Sequence, residues 1–182
     1  MKSNKTYPEA VLGDAFLAQA RDFLKGDYLP KLERCLAGLT DEQIWWRPGS
    51  GSNSIGNLLL HLAGNARQWI ISGLGGEVDD RERDKEFGES RVIPCNELIS
   101  HLRQTIEEVD AVLVAFDSHR ILDHFQIQGT DVTALEAIFH VTEHFSMHTG
   151  QIIFVTKMLS QRDLNFYHFS NDVPVHTWRD RD

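Results

Sequence analysis

Three histidines, His140, His144 and His148, recur every four residues in a stretch with helical spacing. Residues four apart share one face of a helix, so the three form a column, which Gln151 extends. At about 100° per residue, Thr133, Ala137, Val141 and Val155 lie within about 60° of His144. The column therefore sits among small and apolar residues rather than on a charged outer face. A single histidine in such a place is ordinarily a core-edge residue bonded to a carbonyl or a neighbouring helix. Three in a column strain that explanation, because protonated neighbours repel and each neutral ring still needs partners. A divalent metal ion answers both demands, since neutral imidazoles one turn apart can both ligate it. Spacing alone leaves both readings open.

Two side chains from one helix rarely complete a site, and a further ligand must come from another element. His61 lies in Leu58-Leu59-Leu60-His61-Leu62-Ala63, a strongly apolar stretch, with Asn57, Asn65 and Gln68 on its stripe. By itself His61 reads as a core histidine. Beside the column it reads as a ligand. Other constellations are weak: there is no GxSxG, GxGxxG or P-loop pattern. Asp79, Asp80, Glu82, Asp84 and Glu86 read as a solvated acidic run. Glu143 and Glu136 fall about 100° and 80° from His144, marginal for a general base.

The elements that must position these residues read as helices. The first spans residues 9–39, interrupted at Gly26 and Pro30, with Asp27 as a cap between two nearly collinear halves. Thr40-Asp41-Glu42-Gln43 has the form of a capping box. A second helix opens at Asn53 or Ser54 and runs to about Ser72. Residues 77–91 form a long charged connection, a candidate lid. A third helix spans residues 94–117, with Leu98, Leu102, Ile106, Val109, Leu113 and Phe116 as its seam. The fourth starts at Thr130 or Asp131 and ends near Gln161. Residues 162–182 are aromatic and polar without a period. The fold class is thus all-α: a four-helix bundle with a long crossover connection and an irregular C-terminal tail, in one domain with its core at about residues 9–161.

Charge narrows the partners. Eighteen Lys and Arg face 27 Asp and Glu, a net charge of -9. Phosphate contacts need a basic face, so nucleic acid and anionic membranes are not expected partners. Residues 1–10 carry lysines with no apolar run behind them, unlike a signal peptide. Residues 48–66 are uncharged but rich in Gly, Ser and Asn, unsuited to a bilayer. Two cysteines without a CxxC motif, Cys35 and Cys95, read as free thiols, and the expected setting is cytoplasmic.

Several segments together resemble the DinB-like, damage-inducible superfamily. They are Gln43-Ile44-Trp45-Trp46-Arg47-Pro48, the run from Asn53 to Asn65 with His61 inside it, Arg81-Glu82-Arg83-Asp84 before Glu86-Phe87, and Glu143-His144-Phe145-Ser146-Met147-His148-Thr149-Gly150-Gln151-Ile152. They cover most of residues 10–160 and look like an uncharacterised subfamily. The resemblance implies a four-helix bundle with crossover connectivity and a divalent metal held by three histidines. Carried over, the ligands are His61, His144 and His148, and His140 has no counterpart. Zinc, nickel or iron, with zinc or nickel foremost, is the implied cofactor. The implied activities are thiol S-transfer and isomerisation with a low-molecular-weight thiol, and an open three-histidine metal site would also permit hydrolysis of a small-molecule substrate. The alternative is a non-catalytic, metal-binding stress-response module. The superfamily also implies a homodimer, and the aromatics Trp45, Trp46, Phe166, Tyr167, Phe169 and Trp178 exceed what a small bundle is expected to bury.

Overall fold

A computed structural model of the chain describes residues 9–178. Most of the segment at residues 1–10 discussed above lies outside it. The first helical path is α1 (Glu9–Arg21), a π-helical stretch (Asp22–Tyr28), and α2 (Leu29–Leu36). Pro30 supplies no N–H, and it follows a wide turn where the regular ladder is already interrupted: Leu29 N–H bonds to Leu24 C=O. Asp27 is therefore no cap. It is buried in the π stretch, accepting from Lys31 Nζ at 2.9 Å and from Trp178 Nε1 at 2.9 Å.

Thr40 and Gln43 form the expected capping box over a short α3 (Asp41–Ile44). Ser54 and Asn57 form another at the start of α4 (Ile55–Ala66), which runs on through a π stretch (Arg67–Ser72). A small α5 (Arg83–Gly88) sits inside the charged connection. Helix α6 (Cys95–Ala115) follows Pro94, with Cys95 N–H donating to Asp41 Oδ1 at 2.8 Å, and its seam residues Leu98, Leu102, Ile106, Val109 and Leu113 are all buried.

Next comes a hairpin that the sequence reading did not contain. Strands β1 (His124–Ile127) and β2 (Thr130–Thr133) pair antiparallel through a Gln128-Gly129 turn with φ of 52° and 76°. Both positions are left-handed, which a two-residue hairpin turn with the right twist demands. Consequently α7 (Ala134–Ser160) is capped by Thr133, three residues later than the Thr130 expected, with Glu136 completing the box. The tail is not irregular either. Strands β3 (Tyr167–Ser170) and β4 (Val173–His176) form a second hairpin, with Asn171 and Asp172 both left-handed at its turn. The chain is mostly helical, with these two small antiparallel hairpins.

The core lies among α2, α4, α6 and α7, where Leu32, Leu59, Leu62, Leu102, Ile106, Ile138 and Phe145 are almost wholly buried. Much of the supposed aromatic surplus is core. Trp45, Phe166 and Trp178 are buried, and Trp45 Nε1 donates to Ile93 C=O at 2.9 Å. Among the described residues no helix is long and apolar enough to cross a membrane. Both cysteines are free, and burial raises the Cys35 thiol pKa to about 11.

Candidate metal centre

Two caps set the helices that carry the histidines. The Ser54–Asn57 box fixes the start of α4 and turns Ile55, Leu59 and Leu62 into the core. The Thr133–Glu136 box does the same for α7, burying Ala137, Ile138, Val141 and Phe145. With those faces packed, His61 on α4 meets the column on α7.

The meeting is close. His61 Nε2 lies 3.0 Å from His144 Nε2, and His148 Nε2 lies 3.1 Å from the same atom. One ligand nitrogen from each ring falls within 4.8 Å of the others. Three ligands on one tetrahedral zinc ion, at about 2.0–2.1 Å each, would stand about 3.3 Å apart.

The outer ring nitrogens decide which proton each imidazole keeps. His61 Nδ1 lies 2.8 Å from Glu86 Oε2, and His148 Nδ1 lies 2.7 Å from Gln151 Oε1. A carboxylate and an amide oxygen only accept, so His148 Nδ1 donates to Gln151 and His61 Nδ1 donates to Glu86, although Arg81 Nη2 also stands 3.1 Å from that His61 nitrogen. Both Nε2 atoms then present lone pairs toward His144. Two lone pairs aimed at one spot repel unless a cation or a proton stands between them. A neutral His144 can place its one hydrogen on Nε2 between them, as its buried Nδ1 has no partner among the described residues, whereas a divalent ion would engage all three rings at once. Burial, reinforced by His148, His61, His140 and Arg81, pushes the His144 pKa down to about 3. Burial also lowers His148, against the opposing bond to Gln151. The donor set is three imidazole nitrogens, which suits a borderline divalent ion.

Behind His61 stands a buried brace. Arg81 donates to both Glu86 oxygens, Nε to Oε1 at 2.7 Å and Nη2 to Oε2 at 2.9 Å. It also donates to Gln68 Oε1 at 2.9 Å, while Gln68 Nε2 donates to Asp79 Oδ2 at 2.8 Å. Burial by itself would raise the Glu86 pKa, but the bonds and charge of Arg81, with His61, hold it below the usual carboxylate range. Gly64 makes room for the carboxylate: a Cβ there would stand 2.0 Å from Glu86 Oε1. Phe87 packs its ring 4.5 Å from that of His61.

Residues 77–91 are therefore not simply a solvated lid. The side chains of Arg81 and Glu86 are only 5% and 11% exposed, and they tie the connection to a histidine of the cluster. Sequence reasoning set Glu86 aside among the acids. The available signal was Phe87, one of only two large apolar residues in that run, together with Val78. His140 stays outside the trio. Its Nε2 meets Asn65 Nδ2 at 3.2 Å and its ring lies 4.2 Å from that of Trp69. Beside it, Asn65 Oδ1 and Trp69 Nε1 are buried polar atoms with no partner among the described residues. Glu136 is engaged in the Thr133 cap, and Glu143 is exposed on the outer side of α7.

The model of the DUF1572 family, described as a protein of unknown function, matches residues 12–171. This chain belongs to the DUF1572 family. No curated protein sequence matches it. Two solved structures resemble this DUF1572 member in fold. One is a DinB-like protein from Bacillus cereus. It has a TM-score of 0.63 and 16% identity, over 80% of this chain and 91% of its own. The other is a conserved protein from Enterococcus faecalis. It has a TM-score of 0.62 and 16% identity, over 86% of this chain and all of its own. The DUF1572 chain thus shares its fold with a DinB-like protein, and its three-histidine cluster is compatible with a metal site.

Proposed function

We propose that this protein is a metal-dependent enzyme that holds a divalent ion, zinc or nickel, through His61, His144 and His148. It acts on a small molecule, by thiol S-transfer or by hydrolysis. One observation carries the reading: the inner nitrogens of three histidines converge while Glu86 and Gln151 engage the outer nitrogens of two of them. Carboxylate-backed histidines are the usual outer support of metal ligands.

His61, His144 and His148 would hold the ion, which when bound would supply Lewis acidity to a water or thiol. The chain's own residues do the rest. Glu86 and Gln151 hold the rings of His61 and His148 in one tautomer. Arg81 balances the Glu86 charge. Burial keeps His144 uncharged and its lone pair available. Between α4 and α7, His140, Asn65 and Trp69 offer polar atoms that can orient a substrate.

Of the nearby carboxylates, Glu86 is bound to Arg81 and His61 and Glu136 to its cap, while Glu143 is exposed on α7 and its charge acts on His140 and His148, so both chemistries stay within the reading. A four-helix arrangement in a single domain and a cytoplasmic setting complete the reading, the latter resting on the two free cysteines.

The test starts with metal analysis of tag-free protein after incubation with zinc or nickel. One ion per chain is expected, and His144→Ala should abolish it. Thiols paired with electrophiles, and then esters and amides, are next screened with and without chelator. Absence of stoichiometric binding defeats the metal reading. Binding without any metal-dependent turnover leaves the metal-binding module in its place.

A further inference from the structure

A cavity of about 350 Å³ opens where α4, the connection at residues 77–91 and α6 meet. That volume lies in the range of small-molecule sites, roughly 300–1,000 Å³. Leu60 and Ile93 give it an apolar wall, and none of His61, His144 and His148 lines it. It is therefore separate from the histidine cluster, although Arg81 and Glu86 border both. The chain carries a net charge of -9, yet this lining is not acidic: Arg67, Arg81, Lys85 and Arg91 outnumber Glu82, Glu86 and Glu89. The three acids are all committed. Glu86 is held by Arg81 at 2.7 Å, Glu82 by Lys85 at 2.6 Å and Glu89 by Arg91 at 2.6 Å.

Two groups in the lining still have donors to spare. Arg67, on the π stretch after α4, uses only Nη2, on Glu108, and its Nε and Nη1 have no partner among the described residues. The ring of His101, on α6, makes no hydrogen bond and no ion pair among the described residues. Desolvation, then the charge of Arg67, keep the His101 pKa below the ordinary 6.5, against the opposing charge of Glu108. An oxyanion satisfies both groups at once. It accepts from the planar fork of a guanidinium and from an imidazole nitrogen, and its charge offsets that of Arg67. We propose that this cavity binds the phosphate or carboxylate head of a small molecule, with Arg67 and His101 as its direct partners and Leu60 and Ile93 against its apolar body. Lys85 and Arg91, exposed at the rim, supply positive charge on the way in.

Inorganic phosphate and acetate serve as probes on the full chain. The ring signals of His101 in proton–nitrogen NMR, assigned by their absence from His101→Gln, are the readout. A saturable shift is expected, and the pH at which His101 titrates should rise when the anion binds. Arg67→Ala should weaken binding at least about tenfold, as loss of a hydrogen bond to a charged group does. Lys25→Ala removes a cation on the first helical path, outside this cavity, and should leave binding unchanged. Because the signal comes from His101, phosphate taken up by an ion at the histidine cluster does not register, and the inference stands or falls apart from the metal. Tighter binding of phosphate assigns a phosphorylated ligand, and tighter binding of acetate a carboxylate; either supports the site. No saturable shift with either probe overturns it. So does a shift that Arg67→Ala leaves undiminished, because the anion would then bind elsewhere.

Discussion

His61 Nδ1 and Glu86 Oε2 stand 2.8 Å apart, in side chains only 7% and 11% exposed. They are twenty-five residues apart in the chain and belong to elements with opposite characters: His61 to an apolar helix, Glu86 to an acidic connection. A buried carboxylate accepting from one imidazole nitrogen fixes which lone pair the other presents. If His61 is a metal ligand, replacing Glu86 should therefore act on metal affinity. Glu86→Leu is expected to weaken zinc or nickel binding by about 10–100-fold. Glu86→Gln, which keeps an accepting oxygen, should lose less. Chelator competition measures both, and equal affinity for all three proteins would remove Glu86 from the site.

Gly64 is the space in which that carboxylate sits. Gly64→Ala adds a methyl 2.0 Å from Glu86 Oε1 and 3.1 Å from Arg81 Nε. Alanine favours a helix by up to about 1 kcal/mol, but overpacking typically costs about 1–3 kcal/mol. The clash falls on a doubly bonded salt bridge rather than on a loose side-chain end, so a net loss of stability and of metal affinity is expected. Urea unfolding and chelator competition on the same samples check it.

Shortening the connection tests its role directly. Removal of residues 79–86 takes away Arg81 and Glu86 together, along with the Asp79 contact to Gln68. A free lid could be cut without touching metal content. The brace predicts that the shortened protein loses its metal and melts lower. Retention of a full complement of ion would restore the lid reading.

Acid stability has a separate source across α1 and α6. Asp110 accepts from Arg21 Nε at 2.6 Å and from Lys25 Nζ at 3.3 Å. Burial pushes its pKa up, but the bonds and charges of Arg21 and Lys25 prevail, and it ends below the ordinary 3.8. A carboxyl with a depressed folded value contributes stability that is present above 3.8 and lost as pH falls through the folded value. Asp110→Asn should therefore destabilise the protein at pH 7 by about 0.5–1 kcal/mol and make little difference near pH 2. Urea midpoints at the two pH values measure this. A constant difference would assign the effect to packing.

Local spacing made the histidine column, the capping box at Thr40, a cap at Asn53 or Ser54, and the α6 seam legible from the residues alone. Each is a relation over three or four positions of one helix, and helical geometry turns such spacing directly into a shared face. The same limit explains what was missed. The Gln128-Gly129 and Asn171-Asp172 turns lack the Asn-Gly and Asp-Gly signatures, and only their left-handed backbone reveals the hairpins. Asp27 is held by Trp178, 151 residues away. Glu86 looked like its acidic neighbours until α5 folded back on α4. Whether His61 faces His144, and which acid reaches His61, depends on how buried faces of separate elements interlock. Hydrophobic packing sets that register, and only the tertiary structure decided it.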